Sequence, residues 1–224
     1  MNDPLEPVNR AIFKVNDTLD RYALEPVARG YRYAAPDQFK ISLTNVLNNL
    51  STPVVLANDV LQGEPGRALD TLGRFLINST LGIGGLFDVA SKLDLPRHEE
   101  DLGQTFGVWG AGPGPFLMLP LLGPSTVRDA GGRVGDFFFD PLNTCCIDTA
   151  VRYGRDGAGI ISTRESLIDQ IDDLRKNSID PYATVRTVYL QSRAAEIANG
   201  RGITTSQDYE DIFNEPDDSY EPLQ

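Results

Sequence analysis

The residues best suited to chemistry lie together in one short acidic segment, His98-Glu99-Glu100-Asp101. His98 is the only histidine of the chain, whereas catalytic triads and zinc centres usually depend on histidine and a zinc-protease helix needs two. Neighbouring carboxylates could act as an acid–base pair, but a run of charges is more often simply solvated. We therefore expect His98 at the surface and no metal centre in this segment.

Other catalytic and nucleotide-binding motifs are missing from the sequence. No G-x-S-x-G nucleophile motif occurs, and Ser125 is better explained as the cap of a following helix. Gly82-Ile83-Gly84-Gly85 does not match a dinucleotide-binding fingerprint, and Gly110-Ala111-Gly112-Pro113-Gly114-Pro115 lacks the lysine of a phosphate-binding loop. The adjacent Cys145 and Cys146 cannot join distant segments, so we expect two small buried residues rather than a redox pair. The sequence predicts neither an enzyme nor a bound cofactor.

The net charge of the chain limits the kinds of partner that it can bind. Acidic residues outnumber basic ones by 32 to 20, which gives a formal net charge of −12. Such a chain cannot neutralise a run of phosphates, so no nucleic-acid partner is expected, and it has no general attraction to anionic lipid headgroups. The longest apolar run, Phe116 to Leu122, is far shorter than the roughly 20 residues that span a bilayer. Any membrane contact must therefore be apolar and must not depend on a spanning helix.

Hydrophobic periodicity predicts an all-α protein. Apolar residues recur at spacings of three and four, with interruptions expected at Pro26 and Gly30 and a break at Pro53. From Gly82 to Gly135 glycine and proline are dense, so short helices and loops are expected there. The predicted helices are Val8–Tyr22, Pro36–Leu50, Val54–Leu61, Arg67–Leu81, Val127–Phe139, one starting at Ser162 or Thr163, and one opened by Asp180-Pro181 and ended before Gly200.

Two apolar stretches are not explained by a single helical stripe. Phe116 to Leu122 and the triplet Phe137-Phe138-Phe139 are continuous apolar segments, and the pattern alone leaves open whether they fill a core or form an apolar surface.

Beyond Arg201 the chain has no lysine or arginine and many acidic residues, which predicts a mobile tail. We therefore divide the chain into a domain of residues 1–200 and an acidic tail of residues 201–224.

A series of short motifs resembles the MlaA/VacJ family. The most specific motif is Glu100-Asp101-Leu102-Gly103-Gln104-Thr105-Phe106-Gly107-Val108-Trp109-Gly110, and the resemblance extends in order from Asp3 to Gly200. The other motifs are Asp3-Pro4-Leu5-Glu6-Pro7-Val8-Asn9-Arg10, Pro26-Val27-Ala28, Asn48-Asn49-Leu50 with Pro53, Arg74-Phe75-Leu76-Ile77-Asn78-Ser79-Thr80, Gly82-Ile83-Gly84-Gly85-Leu86-Phe87-Asp88, Gly114-Pro115-Phe116, Leu119-Pro120, Gly123-Pro124-Ser125, Arg128-Asp129, Asn177-Ser178, Asp180-Pro181-Tyr182 and Tyr189-Leu190-Gln191-Ser192-Arg193.

The resemblance implies a fold and a function. Members of the family form an α-helical ring, here with an irregular Gly/Pro-rich centre, around a central amphipathic channel. They are lipoproteins in the inner, periplasmic leaflet of the Gram-negative outer membrane, where they remove misplaced phospholipids from the outer leaflet. The lipid passes to a soluble periplasmic carrier of the Mla system, which maintains lipid asymmetry, and trimeric porins accompany the ring. The signal peptide and the lipid-bearing cysteine of the family are missing from this sequence, so we expect the anchor in the native precursor.

The resemblance also suggests roles for individual residues. A ring within one leaflet needs an apolar outer belt, and polar groups at membrane depth are tolerated where they line a cavity. The predicted channel or rim residues are Asp88, Asp101, Gln104, Arg128 and Asp129, although each could instead be a helix cap or an ion-pair partner. The predicted membrane-facing residues are Phe116, Leu117, Leu119, Leu121, Leu122, Phe137, Phe138 and Phe139.

Three other functions stay open on the sequence alone. The chain could be a soluble periplasmic module that holds a lipid in a closed pocket, a lipid-hydrolysing enzyme, or a structural scaffold for porins that transports nothing. A need for detergent during purification distinguishes the ring from the soluble module, and cleaved lipid distinguishes the enzyme.

Overall fold

The protein is all-α apart from one small hairpin in the residues that the structure describes. The computed structural model describes residues 3–144 and 148–198. The predictions for Cys145 and Cys146 and for the acidic tail fall outside these residues.

The N-terminal arm is one nearly continuous helical rod. Helix α1 spans Glu6–Leu19, a π-helical turn spans Asp20–Leu24, and helix α2 spans Glu25–Ala34. The expected interruptions at Pro26 and Gly30 are therefore wrong. Pro26 lies in the first turn of α2, directly after the π-helical turn, and Gly30 is simply included in the helix.

Helix α3 spans Asp37–Gln62 and contains Pro53 in its interior, so the break predicted at Pro53 is also wrong. Proline removes one helical hydrogen bond, but α3 packs against the following helix and against helices later in the chain, which keeps it continuous. Just before the proline, the hydroxyls of Ser51 and Thr52 both donate to the Asn48 carbonyl, at 2.9 and 3.1 Å. Gly63, with a φ of 74°, ends α3, and the chain returns as helix α4, Pro65–Thr80.

The central segment contains the irregular structure that its glycine and proline content predicted. A 3-10 helix spans Ala90–Leu93, and helix α5 spans Leu102–Val108. Strands β1, Phe116–Leu119, and β2, Gly123–Thr126, then form an antiparallel hairpin with Phe116 opposite Thr126. The hairpin is not predictable from local pattern, because every residue of β1 is apolar and shows no alternation.

Side chains of α1 hold the hairpin in place. Asn9 donates to the Phe116 carbonyl and accepts from the Met118 amide, both at 2.9 Å, as a neighbouring strand would. The hairpin thereby brings the Phe116 side chain into a small core with Met118 and Tyr182. Phe116 is 1% exposed, so its predicted place on the membrane-facing surface is wrong.

The C-terminal half is a series of helices: α6 Val127–Phe139, α7 Pro141–Thr144, α8 Thr149–Ser166, α9 Ile168–Asn177 and α10 Pro181–Ile197. The predicted helix Val127–Phe139 and the predicted start at Asp180-Pro181 are confirmed. Asp180 caps α10 by accepting from the Ala183 amide at 3.2 Å. The predicted start at Ser162 or Thr163 is wrong, because both residues lie inside α8.

The cap of α6 is also shifted by one residue from its predicted position. The Thr126 hydroxyl accepts from the Asp129 amide at 3.2 Å, whereas Ser125, the predicted cap, is completely buried. The β-strand immediately before α6 determines this shift, since it leaves Thr126 as the last extended residue.

The distribution of polarity is inverted relative to an ordinary globular domain. Among residues 3–144 and 148–198, fourteen polar or charged side chains are buried but only eight hydrophobic ones, while many large apolar side chains are exposed. In the same residues, no helix combines the length and the apolar composition that are needed to cross a bilayer. The described part of the chain therefore has a largely polar interior and an exterior rich in large apolar side chains.

Candidate functional site

A polar cavity of about 690 Å³ lies between α3, α4, α5 and α10. Its volume is in the range of sites that bind small ligands, but such sites are usually lined mainly by hydrophobic residues. Here Val54 and Val55 are the two aliphatic residues of the lining. The other lining residues are Asn45, Asn48, Asn49, Ser51, Thr52, Thr71, Arg74, Asn78, Asp88, Arg97, His98, Glu99, Glu100, Asp101, Gln104, Tyr189, Ser192, Arg193 and Glu196.

One wall of the cavity is positioned by an asparagine contact between α3 and the loop after α4. The Asn49 amide donates to the Ser79 hydroxyl at 3.0 Å. Gly85, with a φ of 92°, packs on the same side chain, where a Cβ atom would come within 2.6 Å of the Asn49 Cβ. Glycine is needed at this position both for the backbone conformation and for the close approach.

A second wall contains the ion pair between Arg74 and Asp88. Arg74 donates to both carboxylate oxygens of Asp88, at 3.1 and 3.0 Å, and Asn78 and Ser91 add further hydrogen bonds. Burial alone raises the pKa of the Asp88 carboxyl, but these hydrogen bonds outweigh it and hold the pKa at about 2. Asp88 is therefore ionised at neutral pH, and its position is fixed by its partners.

A third wall contains Arg193 of α10 between two carboxylates. Arg193 donates to Asp101 at 2.7 and 2.8 Å and to Asp129 at 3.0 Å. Asp101 also caps α5 by accepting from the Gln104 amide at 2.8 Å. The Tyr189 hydroxyl donates to Asp129 at 2.7 Å. This cluster joins α5, α6 and α10 at the edge of the cavity.

The segment that contains His98 lines the cavity, where His98 is half-buried. His98 Nε2 lies 2.9 Å from Asp59 Oδ1, and the Thr71 hydroxyl donates to Asp59 at 2.6 Å. Glu100 is 5% exposed and accepts from Arg67 at 2.5 Å. The prediction of a surface position for His98 is wrong, because its partner Asp59 is 39 residues away in the sequence and could not be identified from local composition.

Asp59, His98 and Glu100 could offer three ligand atoms to a metal ion, since these atoms all lie within 4.8 Å of one another. Their carboxylates, however, already accept hydrogen bonds from Arg67, Thr71 and other protein donors. Burial raises the pKa of the Glu100 carboxyl above its usual value. Hydrogen bonding from Gln62 and the charge of Arg67 offset only part of this rise. The arrangement is best described as a buried ion-pair cluster that joins α3, α4 and the segment before α5.

Comparison with known proteins decides the family. The family model described as "MlaA lipoprotein" matches residues 1–196. The chain belongs to the MlaA lipoprotein family. It is 39% identical over 204 residues to the intermembrane phospholipid transport system lipoprotein MlaA of Escherichia coli strain K12, covering 89% of this chain and 79% of that protein. The MlaA of Haemophilus influenzae is 30% identical over 220 residues, covering 96% of this chain and 88% of that protein.

The fold is also similar to a solved structure. A chain from a study of the structural basis for maintenance of bacterial outer membrane lipid asymmetry aligns with a TM-score of 0.79 at 37% identity, covering 88% of this chain and all of that one. An uncharacterised protein of Rickettsia bellii is 36% identical over 197 residues, covering 87% of this chain and 76% of its own length. The predicted all-α fold of this chain is thus confirmed.

The five predicted channel residues divide into two groups. Asp88, Asp101 and Gln104 line the cavity. Arg128 and Asp129 are not part of its lining: Arg128 packs on Asp129 at 3.0 Å, and Asp129 is 3% exposed. Asp129 accepts hydrogen bonds from both Arg128 and Arg193, which corresponds to the ion-pair alternative. For all five, a role in transport stays a prediction.

The predicted membrane-facing residues also differ in exposure. Leu121, Leu122 and the triplet Phe137-Phe138-Phe139 are exposed, whereas Leu117 and Leu119 are half-buried in β1. Contact of these residues with lipid is a prediction that rests on their exposure.

Reasoning from residue types missed most of the cavity wall. Asn45, Asn48, Thr52, Arg74 and Arg193 all line the cavity but were assigned no channel role. Some of them lie within the motifs that carried the family resemblance, such as Asn48-Asn49-Leu50 and Tyr189 to Arg193. Motif membership was therefore the sequence feature that could have identified them.

Proposed function

We propose that this protein moves phospholipid, removing misplaced phospholipids from the outer leaflet of the outer membrane and thereby maintaining lipid asymmetry. The observation that supports this most strongly is the polar cavity of about 690 Å³ inside a protein whose exterior is rich in exposed large hydrophobic side chains. Polar groups at membrane depth are tolerated where they line a cavity. The protein therefore offers a polar environment to a headgroup while its outer surface remains compatible with acyl chains.

The charges in the cavity suit a zwitterionic headgroup. Arginine side chains can pair with a phosphate, and the carboxylates of Asp88 and Asp101 can pair with an ammonium group. Both signs of charge line one cavity, so the phosphate and the ammonium group of a headgroup each find side chains of opposite charge there.

The surroundings of the protein form the finer part of the proposal. We place it in the periplasmic leaflet of the outer membrane, lipid-anchored in its native precursor, with residues 1–200 as the lipid-channel domain. Its proposed partners are a trimeric porin and the soluble periplasmic lipid carrier of the Mla system. Support comes from the relatives named intermembrane phospholipid transport system lipoproteins and from the exposed apolar side chains.

The proposal is tested by lipid transfer. The protein is reconstituted in liposomes that contain a fluorescently labelled phosphatidylethanolamine, and the soluble carrier is supplied outside. We expect intact labelled lipid on the carrier only when both proteins are present. Asn48→Trp, which places a bulky apolar group in the cavity wall, is expected to reduce the transfer rate about tenfold or more.

The matched control is Ile41→Trp, which introduces the same side chain at an exposed position of the same helix. It is expected to leave transfer unchanged. Equal transfer by the Asn48→Trp variant would show that the cavity is not the route. No transfer by an inserted wild-type protein, even with a porin added, favours a scaffold, and cleaved lipid on the carrier favours a hydrolase.

A further inference from the structure

A second concave site lies beside the polar cavity, on a neighbouring face of α3. This open groove, of about 720 Å³, is bordered by α3, α8 and the turn between β1 and β2. Its apolar lining comes from all three elements, namely Leu47, Leu50 and Val54 of α3, Leu121 and Leu122 of the turn, and Ile160 of α8. The volume suits a small ligand, and the lining is apolar where the first cavity is polar.

The charged residues of the groove are compensated within the protein. Arg155 donates to Asp140 at 2.6 Å, and Arg164 donates to Asp20 at 2.6 Å. Both arginines are mostly buried in these pairs. A charged ligand in the groove would have to displace such a pair, which is unfavourable, whereas an apolar ligand gains from leaving water.

The groove and the polar cavity are adjacent. Ser51 and Val54, one helical turn apart on α3, line both of them. Pro53 lies between these two residues, at the point in α3 where a helical hydrogen bond is missing. A molecule with one polar end and one long apolar end can therefore occupy both sites at once, passing α3 at Ser51 and Val54.

We propose that the groove between α3, α8 and the hairpin turn is an acyl-chain site for the phospholipid whose headgroup occupies the polar cavity. This inference rests on the proposed function, because phospholipid is the transported molecule. It adds that the protein holds part of the lipid tail itself during passage, instead of leaving both chains in the surrounding bilayer.

Gly159 gives direct experimental access to the groove. It lines the groove from α8, and a Cβ atom at this position would meet no heavy atom within 4 Å. A side chain added here therefore enters open space in the groove without displacing the protein. Glycine inside a helix is also replaced without loss of helix propensity.

The test is retention of a lipid after removal of bulk lipid. The full-length protein is incubated with dioleoylphosphatidylethanolamine, washed in a mild detergent and analysed by native mass spectrometry. Wild type and Gly159→Ala are expected to retain one lipid, and Gly159→Phe is expected to lose it at least about tenfold, because about two methylene groups removed from an apolar site already correspond to a tenfold change in affinity. Gly159→Leu is a smaller filling variant that replaces Gly159→Phe as the deciding variant if circular dichroism shows the latter to be unfolded.

The matched control is Gly154→Phe. Gly154 lies on the same helix, also meets no heavy atom within 4 Å, and is not part of the groove, so this variant should retain lipid like the wild type. Equal retention by a folded filling variant, or no retained lipid on the wild type, overturns the inference. Retention that depends on Gly159 in a protein that transfers no lipid to the carrier leaves the acyl-chain site in place and removes the proposed function. Lipid transfer to the carrier by a protein whose lipid retention does not depend on Gly159 supports the proposed function and removes the acyl-chain site.

Discussion

Gly132 of α6 packs directly against Gly103 of α5, so closely that a Cβ atom on Gly132 would come within 2.3 Å of the Gly103 backbone nitrogen. A Cβ atom on Gly103 would meet Asp129 Oδ1 at 2.7 Å and Arg193 Nη2 at 2.9 Å. The backbone contact between these two glycines is thus what allows Asp101, Asp129 and Arg193 to come together at the edge of the cavity.

Gly132→Ala is expected to destabilise the protein by about 3 kcal/mol or more, since backbone atoms cannot move aside as a flexible side chain can. Gly131→Ala is the matched control, because the neighbouring position on the same helix has no heavy atom within 4 Å. That variant should be neutral or stabilised by up to about 1 kcal/mol. Urea unfolding in detergent measures both changes, and equal stability of the two variants would show that α5 and α6 are farther apart.

Arg193→Met is expected to destabilise the fold by about 3–5 kcal/mol, because it leaves the carboxylates of Asp101 and Asp129 without their main cationic partner. Arg21→Met is the control for loss of a surface arginine, since Arg21 is 54% exposed and pairs with Asp17 one helical turn away. Its expected effect is within about 0.5 kcal/mol. A small effect of Arg193→Met in the same unfolding measurement contradicts a structural role for the cluster.

Acid should weaken the protein through Asp129. Burial raises the pKa of this carboxyl, but hydrogen bonds from Arg193 and Tyr189 outweigh it and hold the pKa at about 2. Because an unfolded aspartate has a pKa of about 3.9, the stabilisation is fully present above that pH and is lost as the pH falls towards 2. Asp129→Asn should therefore be less stable at neutral pH and lose less stability between about pH 5 and pH 2.

The difference in slope between wild type and Asp129→Asn is expected to reach at most about 1.4 kcal/mol per pH unit, the value for one proton. Unfolding free energies measured across this range give the slopes directly. Asp173→Asn, at an exposed position of α9, is the control and should keep the slope of the wild type. Parallel curves for wild type and Asp129→Asn would show that Asp129 does not gain its partners on folding.

Phe138→Asp should weaken membrane binding roughly tenfold or more. Phe138 is 65% exposed next to two other exposed phenylalanines, and a charge placed in hydrocarbon costs about 2.5–3.5 kcal/mol at the bilayer centre and less nearer its surface. Partition into phosphatidylcholine vesicles, measured by flotation, checks this. The control Gln38→Asp introduces the same side chain at an exposed polar position and should bind vesicles like the wild type. Unchanged vesicle binding by Phe138→Asp would show that the triplet Phe137-Phe138-Phe139 does not contact the membrane.

The sequence by itself determined the features that depend on neighbouring residues. The start of α10 follows from its Asp180-Pro181 cap, and the range of α6 follows from helical periodicity, although its cap lies one residue later than predicted. The irregular centre follows from its glycine and proline content. The motifs were sufficient for the family, and they contained several residues of the cavity wall.

Only the tertiary structure decided the features that depend on distant partners. Pro53 stays inside α3 because other helices pack against that helix. His98 lies at the cavity because it forms a hydrogen bond with Asp59, which is 39 residues away in the sequence. Phe116 is buried because Asn9, 107 residues earlier, hydrogen-bonds its carbonyl and holds the hairpin against α1. Local pattern describes which residues can be buried, but long-range hydrogen bonds and packing determine which of them are.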